Sequence, residues 1–373
     1  MQTLFEPSAV GEVKKHYFSA LTGLRAVAAG LVFVHHFNPF GPERFGWRIH
    51  KLAAETHVGV TIFFVLSGFL IGYQYLERQV VLRTYFAKRI ARIYPMYFLL
   101  TTFTFAVLYF QGKPFYFGDY VLNITFLRGL FKDYVYTGIG QGWSLTVEEM
   151  FYLSVPTALW FIRRNGHWLW GIPLALTGLG IGMVLLCQLH PWHGFFGSFN
   201  FLFRFTYMGR AVEFFTGMGL AWWLRRPGLN STPRGITYWG VVCTLLCIGA
   251  LSLLHGPKIG RLGVLQPPGL VINNLFLPLL GVGPLLWGLV GEQTWLSRFL
   301  STRLMVLLGK SSYVFYLIHI GVIHDLLYHA LRSDVMTLLG LYGLSGLLYW
   351  AVEEPLNHLL RRVLAKSTPL APV

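Results

Sequence analysis

An arginine and a histidine lie eleven residues apart in the first long apolar segment of the chain. If that segment is an α-helix, Arg25 and His36 project from one face, because eleven residues make nearly a whole number of turns. Their side chains would then be about 16 Å apart along the helix axis. A guanidinium suits phosphate, and a histidine near a carboxylate suits general-base work on a hydroxyl group. A snorkelling arginine and an interfacial histidine would explain the same residues, but the shared face favours a site.

Ionisable side chains also occur in three other apolar segments. Glu148 follows Ser144 by four residues, so that both share a helical face. Arg210 and Glu213 are three residues apart and can pair on a helix, in a structural or a catalytic role. His319 is either a satisfied interior histidine or part of the site. Because charge is costly inside a bilayer, these groups are expected to face the interior of a helix bundle.

Positions along the helices divide these residues into two layers. Counting from the predicted helix ends places the histidines and the acidic residues in the outer part of the bilayer and Arg25 towards the inner side. A basic segment at 77–92 lies just below Arg25, and within it Arg89 and Arg92 are neighbours on one helical face. The ordinary excess of positive charge in inner loops would explain most of that charge. The two layers nevertheless favour a phosphorylated donor from the cytoplasm and a hydroxyl acceptor from outside.

The elements that must hold these residues are membrane helices. The chain has 373 residues, of which 54% are hydrophobic and 17% aromatic. Only 12% are charged, where an ordinary globular domain has about 25%. This balance excludes a soluble enzyme, a disordered chain and a coiled coil. The formal net charge is +15, but the basic residues lie in short clusters between apolar segments, so we expect no nucleic-acid partner.

We predict an all-α polytopic membrane protein with about ten transmembrane helices and both termini in the cytoplasm. A spanning helix needs ~20 mostly apolar residues. Placing both termini inside puts most loop Lys and Arg residues on the cytoplasmic side. The ten segments are roughly 18–37, 58–76, 93–111, 143–162, 168–189, 205–224, 236–255, 270–290, 304–323 and 335–352.

No linker or shift in composition divides the chain. We therefore expect one domain over residues 1–373, with a membrane bundle at 18–355 and a short cytoplasmic tail at 356–373. The expected location is the inner (plasma) membrane, with membrane lipids around the bundle. The long loop at 112–142 is our candidate for a cap that faces the acceptor.

Sequence motifs for metal or nucleotide chemistry are missing. The chain has no GxxxxGK[ST] phosphate loop and no HExxH motif. Its three cysteines lie in apolar stretches without the spacing of a zinc site. We therefore predict neither a metal site nor a bound cofactor.

Taken in order, the motifs resemble the acyltransferase-3 family of integral membrane acyltransferases. The similarity extends from about Leu21 to Asn357. One departure is the doubled His35-His36, where the family often has an aromatic residue before its histidine. The motifs are Arg25-x10-His36, the segment from Gly59 to Leu70, Arg89-x2-Arg92-Ile93-x-Pro95, Trp143-Ser144-Leu145-x-Val147-Glu148, Arg210-x2-Glu213-Phe214, Ser312-Tyr313-x2-Tyr316-Leu317-x-His319 and Glu353-x-Pro355.

This resemblance implies a fold of about ten helices and an O-acyltransferase of the stand-alone type, without a C-terminal SGNH domain. The implied co-substrate is acyl-CoA, usually acetyl-CoA, and the implied acceptor is a hydroxyl group of a cell-surface or exported glycan, a glycolipid or a small metabolite. We hypothesise a donor-binding set, a catalytic set and a supporting set of residues. These are Arg25, Arg89 and Arg92 for the donor; His36, Glu148 and His319 for catalysis; and Ser144, Arg210, Glu213, Tyr313 and Glu353 in support.

Several alternatives stay open at this point. Transfer could be direct or could pass through an acyl-histidine intermediate, and the acyl group could be larger than acetyl. A polytopic transporter of a solute or a lipid-linked sugar would use the same Arg, Glu and His residues to line a pathway. Such a transporter predicts substrate flux without CoA.

Overall fold

The computed structural model describes residues 17–190, 192–226, 232–256 and 262–366. Within these ranges the chain forms helices and no β-strand, with one isolated antiparallel bridge between Phe131 and Phe195. The two ends of the predicted single domain, residues 1–16 and 367–373, lie outside the described residues.

The α-helices follow one another along the described chain with short connections. In order they are α1 Ser19–Phe37, α2 Pro42–Ala54, α3 Gly59–Tyr75, α4 Leu82–Phe110, α5 Phe117–Ile124, α6 Trp143–Arg164, α7 Trp168–Cys187, α8 Phe199–Phe205, α9 Tyr207–Leu224, α10 Ile236–Leu254, α11 Pro267–Val271, α12 Gly283–Gly291, α13 Trp295–Leu300, α14 Arg303–Ile318, α15 Val322–Leu331, α16 Asp334–Leu348 and α17 Glu354–Lys366. Stretches of π-helix at Ile272–Val282 and Tyr349–Glu353 join α11 to α12 and α16 to α17. Short 3₁₀ turns lie at Thr56–Val58, Arg128–Leu130, Gly140–Gly142 and Gly263–Leu265.

Among the described residues, seven helical stretches are long and apolar enough to cross a membrane, and an eighth counts if the bent pair α14 and α15 is one span. The prediction of an all-α polytopic membrane protein is confirmed. Helices α6 and α9 coincide with two further predicted spans, but their ionisable side chains lower their hydropathy. The total of ten spans and the side on which the termini lie stay predictions.

Two of the predicted helix limits are wrong, and both errors concern the site. Helix α4 begins at Leu82, not near residue 93, so that Arg89 and Arg92 lie on the same helix as the predicted span. The predicted span at 304–323 ends at Ile318, where the chain bends by 99° into α15. Gly321 lies in this bend with φ of 88°, a conformation that a glycine adopts without strain.

Close helix contacts bring the candidate residues together. Helix α1 packs against α14, where a Cβ on Gly309 would lie 1.8 Å from the carbonyl oxygen of Thr22. Helix α3 packs equally closely against α9, where a Cβ on Gly68 would lie 1.9 Å from the carbonyl oxygen of Phe214. Small residues allow membrane helices to approach in this way. Helices α1, α3, α9 and α14 therefore form a tight centre around which the other helices pack.

Candidate active site

Two cavities of different chemistry lie along helix α1. The larger, here called the arginine cavity, has a volume of about 930 Å³, and the smaller, the histidine cavity, about 100 Å³. The cations that line the arginine cavity are Arg25, Arg78, Lys88, Arg89, Arg92, Arg225, Lys310 and Arg361. The polar and aromatic residues that line the histidine cavity are His35, His36, His57, Tyr136, Gln141, Trp143, Arg204, Phe205, Arg210 and Tyr316.

Arg25 lies in the arginine cavity, as its place in the donor-binding set requires. Its Nε donates a hydrogen bond to the hydroxyl of Ser312 at 3.2 Å, and its guanidinium lies 5.6 Å from the centre of the Phe63 ring. No carboxylate of the described residues is within ion-pair distance of Arg25, although Glu148 and Glu353 stabilise its positive charge from farther away. The positive charge of Arg25 is therefore available to a ligand.

Arg89 and Arg92 line the same cavity. The guanidinium of Arg89 lies over the ring of Tyr152, 5.4 Å from its centre, and its buried Nε has no hydrogen-bond partner among the described residues. Glu353, which is 3% exposed, has one carboxylate oxygen without a partner there. The hydroxyl of Tyr313 donates to the carbonyl of Ile93 at 2.7 Å and so joins α14 to α4 beside the two arginines.

Glu148 lies at the arginine cavity, and this differs from its expected place in the layer of His36. The hydroxyls of Ser67 and Tyr152 both donate to its Oε1. The reason is the depth at which α6 begins: Gln141, just before it, is buried and donates to the carbonyls of Tyr316 and Leu317, each at 2.8 Å. An apolar pattern does not reveal that this segment folds into the bundle.

His36 and His319 lie side by side, with ring centres 5.3 Å apart. The Nδ1 of His36 is 2.8 Å from the carbonyl of Val32, and that of His319 is 2.8 Å from the carbonyl of Tyr316. Because a carbonyl only accepts, each Nδ1 carries the proton and each Nε2 carries the lone pair. His36 is exposed to its cavity, whereas His319 is fully buried with an unpartnered Nε2 among the described residues. His36 is thus the accessible base of the pair.

Two further histidines, His35 and His57, line the histidine cavity but were not among the predicted site residues. His35 contacts His36, with ring centres 4.7 Å apart, and its Nδ1 bonds the carbonyl of Ala54. The His57 ring is 5.3 Å from that of His35, and its Nδ1 is 3.6 Å from the carboxylate of Glu55. The doubled His35-His36 was the available signal for His35. Nothing in the local sequence marks His57, which is brought there by the turn before α3.

Arg210 and Glu213 form a buried pair with two hydrogen bonds of 2.7 Å. Thr61 on α3 donates to the same carboxylate at 2.7 Å, so the pair also ties α9 to α3. The charge of Arg210 is compensated within the protein, even though the residue lines the histidine cavity. Of the structural and catalytic roles that the spacing of Arg210 and Glu213 allowed, this geometry supports the structural one.

Ser144 lies between the two cavities. Its hydroxyl is 2.7 Å from that of Tyr316, which lines the histidine cavity, while Glu148, one turn later on α6, lines the arginine cavity. The ring of Phe63 packs edge-on against Tyr316 with centres 5.9 Å apart. Ser144, Tyr316 and Phe63 therefore form the partition that separates the two cavities.

The segment before α6 is held by a buried arginine. Arg128 is fully buried and donates hydrogen bonds to the carbonyls of Thr137 and Ile139. Burial lowers the pKa of Arg128 from its ordinary value. The segment contributes Tyr136 and Gln141 to the histidine cavity, and so part of the proposed cap lies beside His36.

No three His, Cys, Asp or Glu side chains are placed to hold a metal ion in the part of the chain that the structure describes.

Comparison with known proteins connects this geometry to a family. Residues 18–352 match the family model described as an acyltransferase domain. A Staphylococcus aureus (strain COL) protein named as a putative O-acetyltransferase is 24% identical over an alignment of 337 positions, gaps included, that covers 83% of this chain and 51% of that protein. Acyltransferase MdmB of Streptomyces mycarofaciens is 26% identical over an alignment of 396 positions, gaps included, that covers 92% of each chain. The chain spans about half the length of the staphylococcal relatives, and no solved structure matches it.

Proposed function

The chain belongs to this family of acyltransferases, and from that premise we propose that it is a membrane O-acyltransferase. The proposed reaction moves an acetyl group from acetyl-CoA to a hydroxyl of a cell-surface or exported glycan, a glycolipid or a small metabolite, at the inner (plasma) membrane. The observation that carries the proposal is the pair of cavities along α1, one lined by cations and the other by histidines.

In this proposal the arginine cavity binds the nucleotide part of the donor. CoA carries a pyrophosphate and a further phosphate, and guanidinium groups bind phosphate through paired, charge-assisted hydrogen bonds. The cations from α1, α4 and α17 meet there, and the volume of about 930 Å³ lies in the range of a ligand pocket. Arg25, Arg89 and Arg92 are the residues we assign to the donor.

The thioester then extends along α1 towards the histidine cavity. Arg25 and His36 are on one continuous helix, so that their separation of about 16 Å follows from the helical rise. An extended pantetheine arm has a comparable length. The acyl group passes the partition formed by Ser144, Tyr316 and Phe63, while the nucleotide stays on the donor side.

At the histidine cavity, His36 acts as the general base. Its Nε2 takes the proton of the acceptor hydroxyl, the acceptor oxygen attacks the thioester carbonyl, and the carbon–sulfur bond breaks. The imidazolium returns the proton to the departing CoA thiolate. His319, whose ring lies 5.3 Å away, positions His36. Glu148 lines the arginine cavity with Arg25 and balances part of the positive charge there.

An acyl-histidine intermediate is the alternative to direct transfer. In that case Nε2 of His36 itself attacks the thioester and later passes the acyl group to the acceptor. To distinguish direct transfer from the intermediate, the protein is incubated with labelled acetyl-CoA without acceptor, and the reaction is then quenched. Label that stays on the protein supports the intermediate, and its absence supports direct transfer.

The proposal is tested by transfer of isotope-labelled acetyl from acetyl-CoA onto host envelope glycan in isolated membranes. Base-labile label is expected with the native protein and with His329→Ala, an exposed histidine outside both cavities, but not with His36→Ala. Equal label with His36→Ala would show that His36 is not the base. Flux of a solute across these membranes without CoA would instead support the transporter.

A further inference from the structure

The histidine cavity contains two guanidinium groups, and within the part of the chain that the structure describes only Arg210 has a carboxylate partner. Arg204 on α8 lines the same cavity. Its contacts are a hydrogen bond of 3.3 Å to the side-chain oxygen of Asn200, the ring of Phe205 at 4.6 Å and the hydroxyl of Tyr136. No carboxylate of the described residues lies within ion-pair distance of Arg204.

The other titratable groups around the cavity do not supply an anion. His35, His36 and His57 are imidazoles, which are neutral or positive. The neighbouring carboxylates are engaged by other groups. Glu213 is bound by Arg210. Glu55 lies beside His57, and its Oε1 accepts hydrogen bonds from His255 at 2.9 Å and from the N–H of Gly263 at 2.6 Å. Burial lowers the pKa of Arg204, which reflects the loss of water around its charge. The cavity therefore has an uncompensated and partly desolvated cation.

We propose that Arg204 is a subsite for an oxyanion on the acceptor, so that the chain acylates a hydroxyl of a molecule that also bears a carboxylate or a phosphate. This inference rests on the proposed function. The planar fork of a guanidinium binds either oxyanion with two parallel hydrogen bonds. A pairing with the acceptor would supply the anionic partner that Arg204 lacks among the described residues.

The walls beside Arg204 specify more of that acceptor. Phe205 packs edge-on against Trp143 and Tyr136, with ring centres 4.9 and 5.7 Å apart, and all three residues line the cavity. Such aromatic faces pack well against the C–H groups of a sugar ring. The volume of about 100 Å³ admits a small group only, so the part of one sugar unit that bears the oxyanion enters and the remainder stays outside.

The test measures binding of matched sugars to the purified protein in lipid nanodiscs by saturation-transfer NMR. The probes are methyl β-D-glucuronide, methyl β-D-glucoside and methyl β-D-glucoside 6-phosphate, of which the glucoside is the neutral reference. We expect at least one charged probe to bind the native protein about 10-fold more tightly than the glucoside. Preference for the glucuronide identifies a carboxylate, and preference for the 6-phosphate identifies a phosphate.

Three variants connect that preference to Arg204. Arg204→Gln is expected to bind charged and neutral probes within about 2-fold of each other, and Arg204→Lys to keep part of the preference because it keeps the charge but not the fork. Arg298→Gln, an exposed arginine on α13, is the matched control and should behave as the native protein. The inference is overturned if the native protein does not distinguish the probes, or if the preference survives in Arg204→Gln.

CoA binding by the same samples separates this inference from the proposed function. CoA binding retained by Arg204→Gln shows that the variant is folded and that its donor site is intact. If Arg204→Gln loses CoA binding, Arg204→Lys is measured in its place. A preference for the charged probe below that of the native protein supports the inference, and a preference equal to that of the native protein overturns it. Absence of CoA binding by the native protein would count against the proposed function, whatever the sugars do.

Discussion

At the scale of single residues, the main distinction is between two neighbouring histidines with the same tautomer. Both His36 and His319 donate Nδ1–H to a backbone carbonyl of their own helix, but only His36 lines a cavity. Proton transfer requires contact with the acceptor, whereas His319 can act only through His36. The two residues should therefore differ in what their loss does to the reaction.

We expect His36→Gln to lower kcat at least ~100-fold, the usual contribution of a general base. His319→Gln should lower kcat by about 10-fold, because it disturbs only the position of His36. Both variants should retain the native affinity for CoA. Steady-state kinetics with labelled acetyl-CoA checks this, and a larger loss in His319→Gln than in His36→Gln would reverse the assignment.

Glu292 is expected to stabilise the start of α10 in a pH-dependent way. Burial alone would raise the pKa of Glu292, but hydrogen bonds from Thr237 and from the N–H of Gly235 hold this pKa below its ordinary value. Because the folded-state pKa is lowered, this stabilisation is present at neutral pH and is lost as the pH falls through the acid range. Glu292→Gln should lower stability at pH 7 by about 1 kcal/mol, the typical worth of a helix cap.

Thermal unfolding of the native protein and of Glu292→Gln in nanodiscs, followed from pH 7 into the acid range, measures the effect. The two melting temperatures should converge as the pH falls. A difference that stays constant with pH would show that the carboxylate does not contribute through its charge.

At the scale of elements, the site depends on helices that approach to backbone contact. Gly68 on α3 has no room for a Cβ against the carbonyl of Phe214 on α9. Gly68→Ala should therefore separate the two helices and lower stability by roughly 1–3 kcal/mol. Gly219→Ala on α9 is the matched control, because a Cβ there would meet nothing within 4 Å.

Melting temperature and yield in nanodiscs report the separation of α3 and α9. A Gly68→Ala variant as stable as Gly219→Ala would contradict the close contact. Because Glu213 on α9 is bound by Thr61 on α3, the same variant should also weaken transfer by disturbing the wall of the histidine cavity.

Hydropathy along the chain explains why some helices could be predicted from the sequence and others could not. Long apolar runs such as Ser19–Phe37 locate the spans directly, because a bilayer demands them. The start of α4 at Leu82 and the bend after Ile318 escaped prediction, because a polar helix end and a break at Gly321 leave no hydropathy signal. Such local features depend on tertiary contacts and turn geometry.

The depth of Glu148 illustrates the same limit within the site. Its position on a helical face with Ser144 was predictable from spacing, but the cavity that it lines was not. That outcome depends on how far Gln141 reaches into the bundle to bond the carbonyls of α14. Residue types and spacing therefore grouped Arg25, Arg89 and Arg92, which line one cavity, apart from His36, which lines the other. The neighbours His57 and Arg204 required the folded chain.

At the scale of the whole molecule, charge is concentrated in one cavity. The cations of the arginine cavity come from helices far apart in the sequence, and of its lining residues only Glu77 and Glu148 are carboxylates. Binding of CoA should therefore weaken at high ionic strength, because salt screens charges in contact with water. We expect the Kd for CoA to rise by about 10-fold between low and high salt, and that for pantetheine by less than about 2-fold.

Equilibrium binding of CoA and of pantetheine in nanodiscs over a range of salt concentrations tests this expectation. A Kd for CoA that does not change with salt would show that the phosphates of CoA do not bind in the arginine cavity. Equal salt sensitivity of CoA and pantetheine would show that salt acts on the protein as a whole.

In the proposed mechanism, donor binding and proton transfer occur at separate cavities on one helix. The most direct measurement compares CoA binding and acetyl transfer in Arg25→Gln and His36→Gln, in the same nanodisc preparations. We expect Arg25→Gln to lose CoA affinity and transfer together, while His36→Gln loses transfer and binds CoA as the native protein does. Loss of CoA affinity in His36→Gln, or native affinity in Arg25→Gln, would contradict the division of labour between the two cavities.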